Sequence, residues 1–299
     1  MSDVFFISQF ETYLVSEKKV SRHTSTAYLN DLRQCFNYLE SELGITDVQS
    51  IKHLHLKSWL ASLMADKMNA SSVNRKISAL KTYYKYLLRH QLVEGNPMLK
   101  VTSPKMSKKL PTFINESKTE EIFEKEGMNV VASDDDSEMT QANAIVSTLY
   151  QTGVRLSELI NLKKRNVDIA NGTIKVLGKR NKERIIPITE ELSSILHPYL
   201  SLNPQSEWVF NTAKGEQLYP NYVYRAVKHL LSQYTTLKKK SPHILRHTFA
   251  THMLNSGSDL NVIKELLGHA NLSATQIYTH NSIERLKEVY NKAHPKGKG

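Results

Sequence analysis

Apolar residues in the first hundred positions recur every three or four residues, which is the spacing of amphipathic helices. Helices are predicted over residues 5–16, 21–43 and 54–64. A fourth helix is predicted to begin after the polar segment 69–72. Its apolar positions are Val73, Ile77, Leu80, Tyr84 and Leu87. The pattern therefore predicts an N-terminal domain of four helices.

The periodicity stops after Gly-Asn-Pro at 95–97, and the following segment, 102–111, is rich in Pro, Ser and Lys. This composition is typical of an extended linker. A basic linker would let two domains close around a DNA duplex as a clamp. A tether without further function fits the same composition.

Helical patterns return in the second part of the chain. Helices are predicted over residues 116–125, 139–150, 190–200, 219–234, 242–254, 259–267 and from 273 onward. The acidic run 134–136, between the first two, is interpreted as a solvated loop, because its adjacent carboxylates lack the alternating spacing of a calcium loop.

A short strand-rich stretch interrupts these helices. Residues 167–169 and 173–177 flank Asn171-Gly172, a strong hairpin turn signal. A second turn at 178–182 leads into a third strand over 184–188, so Lys179 is expected at a hairpin tip. The predicted fold class is mainly α with two domains, the second carrying a small antiparallel sheet.

Composition adds a partner class. The chain has 299 residues, 40 % of them hydrophobic and 23 % charged, as in ordinary globular proteins of two domains. Lys plus Arg number 40 and Asp plus Glu 29, so the net charge is 40 − 29 = +11, which favours a polyanion such as nucleic acid. The sequence has neither a long apolar run nor a signal-peptide pattern, so a cytoplasmic, nucleoid-associated location without a membrane is expected. The single cysteine, Cys35, is interpreted as buried filler.

The fourth predicted helix carries a row of basic residues opposite its apolar face, which fits phosphates along a DNA groove. We expect DNA contacts from this row and from the linker lysines. The residues are Arg75, Lys76, Lys81, Lys85 and Arg89 on the helix, and Lys105 and Lys108 in the linker. A solvated basic surface is the alternative.

The residues that suggest chemistry lie mostly near the C-terminus. His243 and Arg246 are three apart, so on a helix they share a face. Arg155 follows a glycine at a predicted helix start. A phosphodiester would use both arginines, because guanidinium groups bind non-bridging oxygens and offset the charge that develops when phosphorus is attacked. Singly, each arginine has an ordinary explanation as a salt-bridged helix residue.

The remaining polar side chains complete this hypothesis. Tyr278 would be the nucleophile, His243 its base, Lys179 the proton donor to the leaving 5′ oxygen and His269 a donor to a phosphate oxygen. No metal or other cofactor is expected. A zinc site at the C-terminal histidines is disfavoured, because they lack a carboxylate ligand and the His-Glu-x-x-His order.

These segments together resemble the tyrosine recombinases, most closely the Xer site-specific recombinases. The motifs are Thr-Gly-Val-Arg-Leu-Ser-Glu-Leu at 152–159, Gly-Lys-Arg-Asn-Lys-Glu-Arg at 178–184, His-Ile-Leu-Arg-His-Thr-Phe-Ala-Thr-His at 243–252, Leu-Leu-Gly-His at 266–269 and Thr-Gln-Ile-Tyr-Thr-His at 275–280. Arg180 stands where many relatives have glycine, and Ala274 where threonine is common, but neither change removes a catalytic group.

The resemblance implies that Tyr278 forms a 3′-phosphotyrosyl bond and that strands are exchanged through a Holliday junction, resolving chromosome dimers. It implies a SAM-like core-binding domain over 1–107 and a catalytic domain over 108–299. The apolar stripe Ile283, Leu286, Val289 and Tyr290 would belong to a protomer-exchange helix over 282–292. The alternative is packing of that stripe on its own domain.

The partners implied are double-stranded DNA with a specific site, a homo- or hetero-tetramer on two duplexes, a sister recombinase and a septal DNA translocase. Three alternatives stay open. A mobile-element integrase would share the chemistry, a type IB topoisomerase would relax DNA without strand exchange, and an architectural DNA-binding protein would have no catalysis.

Overall fold

The structure, a computed structural model, describes residues 5–105, 112–124, 137–178, 182–201, 203–268 and 280–297. The chain divides into two compact units, Met1–Lys109 and Leu110–Gly299, each with its own hydrophobic core. The expected domain boundary between residues 107 and 108 lies outside the described residues, as does the acidic run 134–136. No described helix is long and apolar enough to cross a membrane.

The N-terminal unit contains the predicted helices. They are α1 (Ile7–Thr12), which continues as a π-helical turn (Tyr13–Glu17), α2 (Arg22–Leu43), α3 (His53–Ala65) and α4 (Ala70–Arg89). The side chain of Asn69 accepts the backbone N–H of Ser72 at 2.8 Å, and this cap fixes the start of α4. Cys35 lies fully buried among the apolar residues of α2, as predicted. Burial raises the pKa of its thiol, so it stays protonated and unreactive.

The C-terminal unit is mainly helical around a small sheet, which confirms the predicted fold class. Its helices are α5 (Glu116–Glu124), α6 (Ser137–Thr152), α7 (Leu156–Ile160), α8 (Glu190–Ser201), α9 (Pro220–Tyr234), α10 (Pro242–Asn255), α11 (Leu260–Leu267) and α12 (His280–Ala293). The strands β1 (Val167–Asp168), β2 (Thr173–Leu177) and β3 (Glu183–Pro187) form an antiparallel sheet in sequential order. In this sheet Val176 pairs with Arg184, which places Arg184 beside the start of the second hairpin.

The C-terminal helix α12 packs on the unit that carries it. Leu286 and Tyr290 are buried in the core of that unit, and Val289 packs against the same core. The Tyr290 hydroxyl donates a hydrogen bond to the Gln151 carbonyl on α6 at 2.8 Å. The apolar stripe therefore has partners within its own chain, and docking into a neighbouring protomer stays a prediction.

A buried histidine, His294, directly follows α12 and makes the stability of the protein depend on pH. His294 is 0 % exposed, its ring stacks on Tyr290 at 5.1 Å, and the rings of Tyr150 and Phe249 lie at 5.2 and 5.6 Å. Burial, and then the neighbouring His252, lowers the pKa of His294 to about 3.

Because the folded pKa lies below the ordinary value near 6.5, unfolding takes up a proton as the pH falls. From this group, the free energy of unfolding should therefore fall as the pH drops below 6.5, with a slope that approaches roughly 1.4 kcal/mol per pH unit by about pH 5. Denaturant titrations at several pH values measure the slope. His294→Phe keeps the aromatic contacts and should flatten it; an unchanged slope would contradict the prediction.

Candidate active site

Arg155 lies at the start of α7, immediately after a tight turn. Gly153 in that turn has φ +60°, and an added Cβ would lie 2.5 Å from the Phe249 ring, so glycine is required there. The Arg155 guanidinium donates from Nη1 to Glu158 Oε1 at 2.7 Å and from Nη2 to the Gly268 carbonyl at 3.1 Å. Its side chain is still 32 % exposed, so the group is fixed but open to a ligand.

Arg246 lies on α10 and reaches the same turn. Its Nη1 donates to the Gly153 carbonyl and its Nη2 to the Leu267 carbonyl at 2.6 Å. His243 precedes it by three residues on α10 and is exposed. The structure thus brings Arg155 and Arg246 together, with His243 one helical turn away from Arg246.

A third arginine, which the sequence motifs did not indicate as a site residue, completes the cluster. Arg184 of β3 is 4 % exposed and donates two hydrogen bonds to Glu158, both at 2.8 Å. Its Nε donates to the Leu266 carbonyl at 2.7 Å. Burial would raise the pKa of Glu158, but hydrogen bonds and charge from Arg184, and then hydrogen bonds from Arg155, outweigh it and lower this pKa to about 2. Glu158 is therefore ionised at neutral pH.

All three arginines bind the last carbonyls of α11, at Leu266, Leu267 and Gly268. A helix C-terminus leaves these oxygens without helical partners and gives them negative character. Burial, and then the charges of Arg155 and Arg184, lower the pKa of Arg246 to about 9, so it stays a cation at pH 7. Three cations and one carboxylate give a local charge of +3 − 1 = +2. The cluster suits a highly charged anion.

Three of the predicted catalytic residues, Lys179, His269 and Tyr278, lie outside the described residues. Gly178, the residue before Lys179, and Gly268, the residue before His269, are described, and Gly268 caps α11 with φ +64°. The catalytic roles of Lys179, His269 and Tyr278 therefore stay predictions.

One of the C-terminal histidines considered for zinc, His252, has partners for both ring nitrogens. Its Nδ1 is 3.0 Å from the Tyr150 hydroxyl and its Nε2 is 2.8 Å from the Ile114 carbonyl, so both ring nitrogens are engaged in the core. Among the residues that the structure describes, no group of three or more His, Cys, Asp or Glu side chains is arranged to hold a metal ion.

Comparison with known proteins decides the family. The model of the phage integrase family matches residues 122–285, and the model of its N-terminal SAM-like domain matches residues 7–91. The chain is 35 % identical to the tyrosine recombinase XerC of Chlorobaculum tepidum, over 97 % of this chain and 94 % of that protein. It belongs to the phage integrase family. The tyrosine recombinase XerC of Oceanobacillus iheyensis is likewise 36 % identical, over 98 % of this chain and 97 % of that protein. These full-length relatives show that the chain is a tyrosine site-specific recombinase.

Solved structures share the phage integrase fold. XerH site-specific recombinase bound to difH substrate, in a pre-cleavage complex, superposes with a TM-score of 0.67 at 21 % identity, covering 95 % of this chain and 93 % of that one. The Tn1549 transposon integrase in complex with circular intermediate DNA gives 0.66 at 18 % identity, with coverages of 93 % and 98 %. At these identities the likeness establishes the fold.

One residue of the predicted DNA-binding row in the SAM-like domain was placed wrongly. Lys76 is 3 % exposed: its Nζ donates to Asp31 Oδ1 at 2.8 Å and to Gln34, and lies 5.7 Å from the centre of the Trp59 ring. A basic residue was assumed to face solvent, but the buried carboxylate of Asp31 on α2 holds it inside. Lys76 is not available to a phosphate.

The other described members of the row are accessible. The Arg75 side chain is 45 % exposed, although its Nη1 contacts Asp31. Lys81, Lys85 and Lys105 are exposed, whereas Lys108 lies outside the described residues. DNA binding by these residues stays a prediction.

Two lysines of α4 provide a matched test of this division. Lys85→Gln should weaken DNA binding and leave the free energy of unfolding unchanged. It should also reduce the slope of log K against log salt concentration by about one. Lys76→Gln should instead lower the free energy of unfolding by up to roughly 3 kcal/mol, because Asp31 would keep only Arg75 as a partner. Binding titrations across salt concentrations and denaturant melts measure the two effects. A salt slope reduced by Lys76→Gln alone would reverse the assignment.

Proposed function

We propose that this recombinase cuts DNA by attack of the Tyr278 hydroxyl oxygen on a backbone phosphate. The new bond joins that oxygen to phosphorus, and the bond from phosphorus to the 5′ oxygen breaks. A 3′-phosphotyrosyl enzyme and a free 5′ hydroxyl result. The observation that carries the proposal is the cluster of charge +2 around Arg155 and Arg246, because attack on a phosphodiester adds negative charge at the non-bridging oxygens.

Each candidate side chain has one role in this proposal. Arg155 and Arg246 bind the non-bridging oxygens, to which His269 also donates. His243 accepts the phenol proton, and Lys179 supplies the proton that the leaving 5′ oxygen needs. The arginines provide the positive charge that a metal ion provides in other phosphoryl-transfer sites, so the proposed reaction uses no metal, and the energy conserved in the phosphotyrosyl bond removes the need for ATP.

The proposal extends to strand exchange. A 5′ hydroxyl from a partner strand reverses the attack, so that four protomers on two duplexes pass through a Holliday junction. The N-terminal domain, about residues 1–107, would complete a clamp on DNA, and helix residues 282–292 would link protomers. DNA binding in this proposal is supported by the XerH structure, which is bound to difH substrate in a pre-cleavage complex, and by the Tn1549 integrase structure, which is in complex with circular intermediate DNA.

Chromosome dimer resolution is the cellular role we propose, in the cytoplasm at the nucleoid, with a sister recombinase and a septal DNA translocase as partners. The XerC name of relatives that align over nearly their whole length supports this role. Integration of a mobile element would use the same chemistry. Recombination assays on plasmids carrying the chromosomal terminus site or element ends separate the two roles.

The test of the proposed chemistry is covalent trapping. Nicked suicide duplexes that carry candidate sites should give a protein–DNA adduct that resists denaturant and EDTA. Protease digestion and mass spectrometry should place the DNA on the peptide that contains Tyr278. Sites that bind the protein without forming any adduct would favour an architectural role.

A further inference from the structure

The buried Arg184 connects three elements of the C-terminal unit. Its guanidinium on strand β3 donates hydrogen bonds to both carboxylate oxygens of Glu158 on helix α7 and to the Leu266 carbonyl at the end of helix α11. This bidentate geometry has a fixed direction that a lysine ammonium cannot reproduce. With 4 % of its surface exposed, Arg184 is too buried to contact DNA itself.

Two glycines leave room for this guanidinium. A Cβ on Gly268 would lie 3.2 Å from Arg184 Cδ and Nη1, and a Cβ on Gly178 would lie 3.5 Å from Nη1. The side chain therefore fills the space between the neck of the second hairpin and the cap of α11. It has little freedom to shift while Gly178 and Gly268 hold their positions.

Glu158 is the link to the reacting phosphate. Its Oε1 accepts from both Arg155 and Arg184, and its Oε2 accepts from Arg184 and from the backbone N–H of Arg155. Without Arg184 the carboxylate would have Arg155 as its one remaining cationic partner among the described contacts. A closer pairing of these two would turn the Arg155 guanidinium away from a ligand.

We propose that Arg184 is a positioning residue: it holds Glu158 so that Arg155 keeps a guanidinium face free for the scissile phosphate. The inference rests on the proposed function, in which Arg155 binds that phosphate. Arg184 acts through Glu158 and touches none of the reacting atoms.

The test uses suicide duplexes with either a normal phosphodiester or a methylphosphonate at the cleavage position. A methylphosphonate lacks one charged oxygen, so an arginine that offsets phosphate charge matters less for it. Arg184→Met should slow adduct formation on the phosphodiester roughly 100-fold, the scale expected when a catalytic group is displaced by about 1 Å. Most of this defect should disappear on the methylphosphonate, as it should for Arg155→Ala. DNA affinity should be unchanged.

Arg184→Lys keeps the buried charge and protects the test against misfolding of the methionine variant; it should show a smaller defect with the same substrate dependence. Glu183→Gln, an exposed neighbour on β3, is the matched control and should react like the wild type. Equal slowing of Arg184→Met and Arg184→Lys on both substrates would mean a structural role and overturn the inference. Wild-type rates for both variants would overturn the inference about Arg184 and leave the proposed function standing. A wild-type protein that forms no adduct would overturn the proposed function as well.

Discussion

Tyr278→Phe is expected to abolish the covalent adduct on nicked suicide duplexes while DNA affinity stays within about twofold, a change of less than roughly 0.5 kcal/mol. The substitution removes one oxygen atom, which is the atom that forms the bond to phosphorus in the proposed reaction. Gel electrophoresis under denaturing conditions measures the adduct, and a filter or mobility assay measures the affinity.

A second tyrosine controls for the chemistry of the substitution. Tyr224 on α9 is 38 % exposed, and Tyr224→Phe removes the same atom from an accessible surface position. It should form the adduct at the wild-type rate. An adduct that persists in Tyr278→Phe would assign the nucleophile to another residue and remove the basis of the proposed reaction.

Most of the fold was predictable because local signals in this chain agree with one another. Helix α4 begins directly after Asn69, whose side chain caps it, and α10 begins at Pro242, a residue suited to the first helical turn. Asn171-Gly172 ends the connection 169–172 between β1 and β2, which pair antiparallel as predicted, and Gly172 supplies the positive φ. Periodicity and turn residues act over a few positions, so one sequence suffices to recognise them.

The charged interior was not predictable in the same way. Lys76 is buried by Asp31, 45 residues earlier, and Arg184 by Glu158 and Leu266, 26 and 82 residues away. The helical period places Lys76 at the edge of the buried face, three residues after Val73, and strand alternation places Arg184 on the face of Ile186. Neither pattern identifies the distant carboxylate that holds the cation inside. The three-residue spacing of Arg155 and Glu158 indicated a salt bridge but not its third member.

The arginine cluster explains why the candidate site is more than a motif. Arg246 on α10 donates hydrogen bonds to the Gly153 carbonyl in the glycine turn and to the Leu267 carbonyl at the end of α11. One side chain therefore joins these three segments. Hydrogen bonds to two carbonyls orient Arg246 without neutralising it, whereas Arg155 is oriented by the Gly268 carbonyl together with Glu158. A second carboxylate in the cluster would have lowered the local charge from +2 to +1.

Arg246→Ala is accordingly expected to slow adduct formation by roughly 10²–10³-fold, the range for removing one preorganised charge stabiliser. The Gly153 and Leu267 carbonyls would lose their donor, and the local charge would fall from +2 to +1. Single-turnover cleavage on suicide duplexes measures the rate. Affinity for uncleaved DNA should change far less, because the charge that Arg246 offsets develops during the attack.

Two further variants separate charge from geometry. Arg246→Lys keeps the cation but loses the fork that spans the two carbonyls, so it should recover only part of the rate. Arg165→Ala removes one exposed arginine of the same domain, outside the arginine cluster and the proposed protomer-linking helix, and should cleave like the wild type. Full activity in Arg246→Lys would mean that charge alone suffices, and full activity in Arg246→Ala would remove Arg246 from the reaction. A rate that follows the order arginine, lysine, alanine is what preorganised stabilisation of a phosphoryl transition state requires.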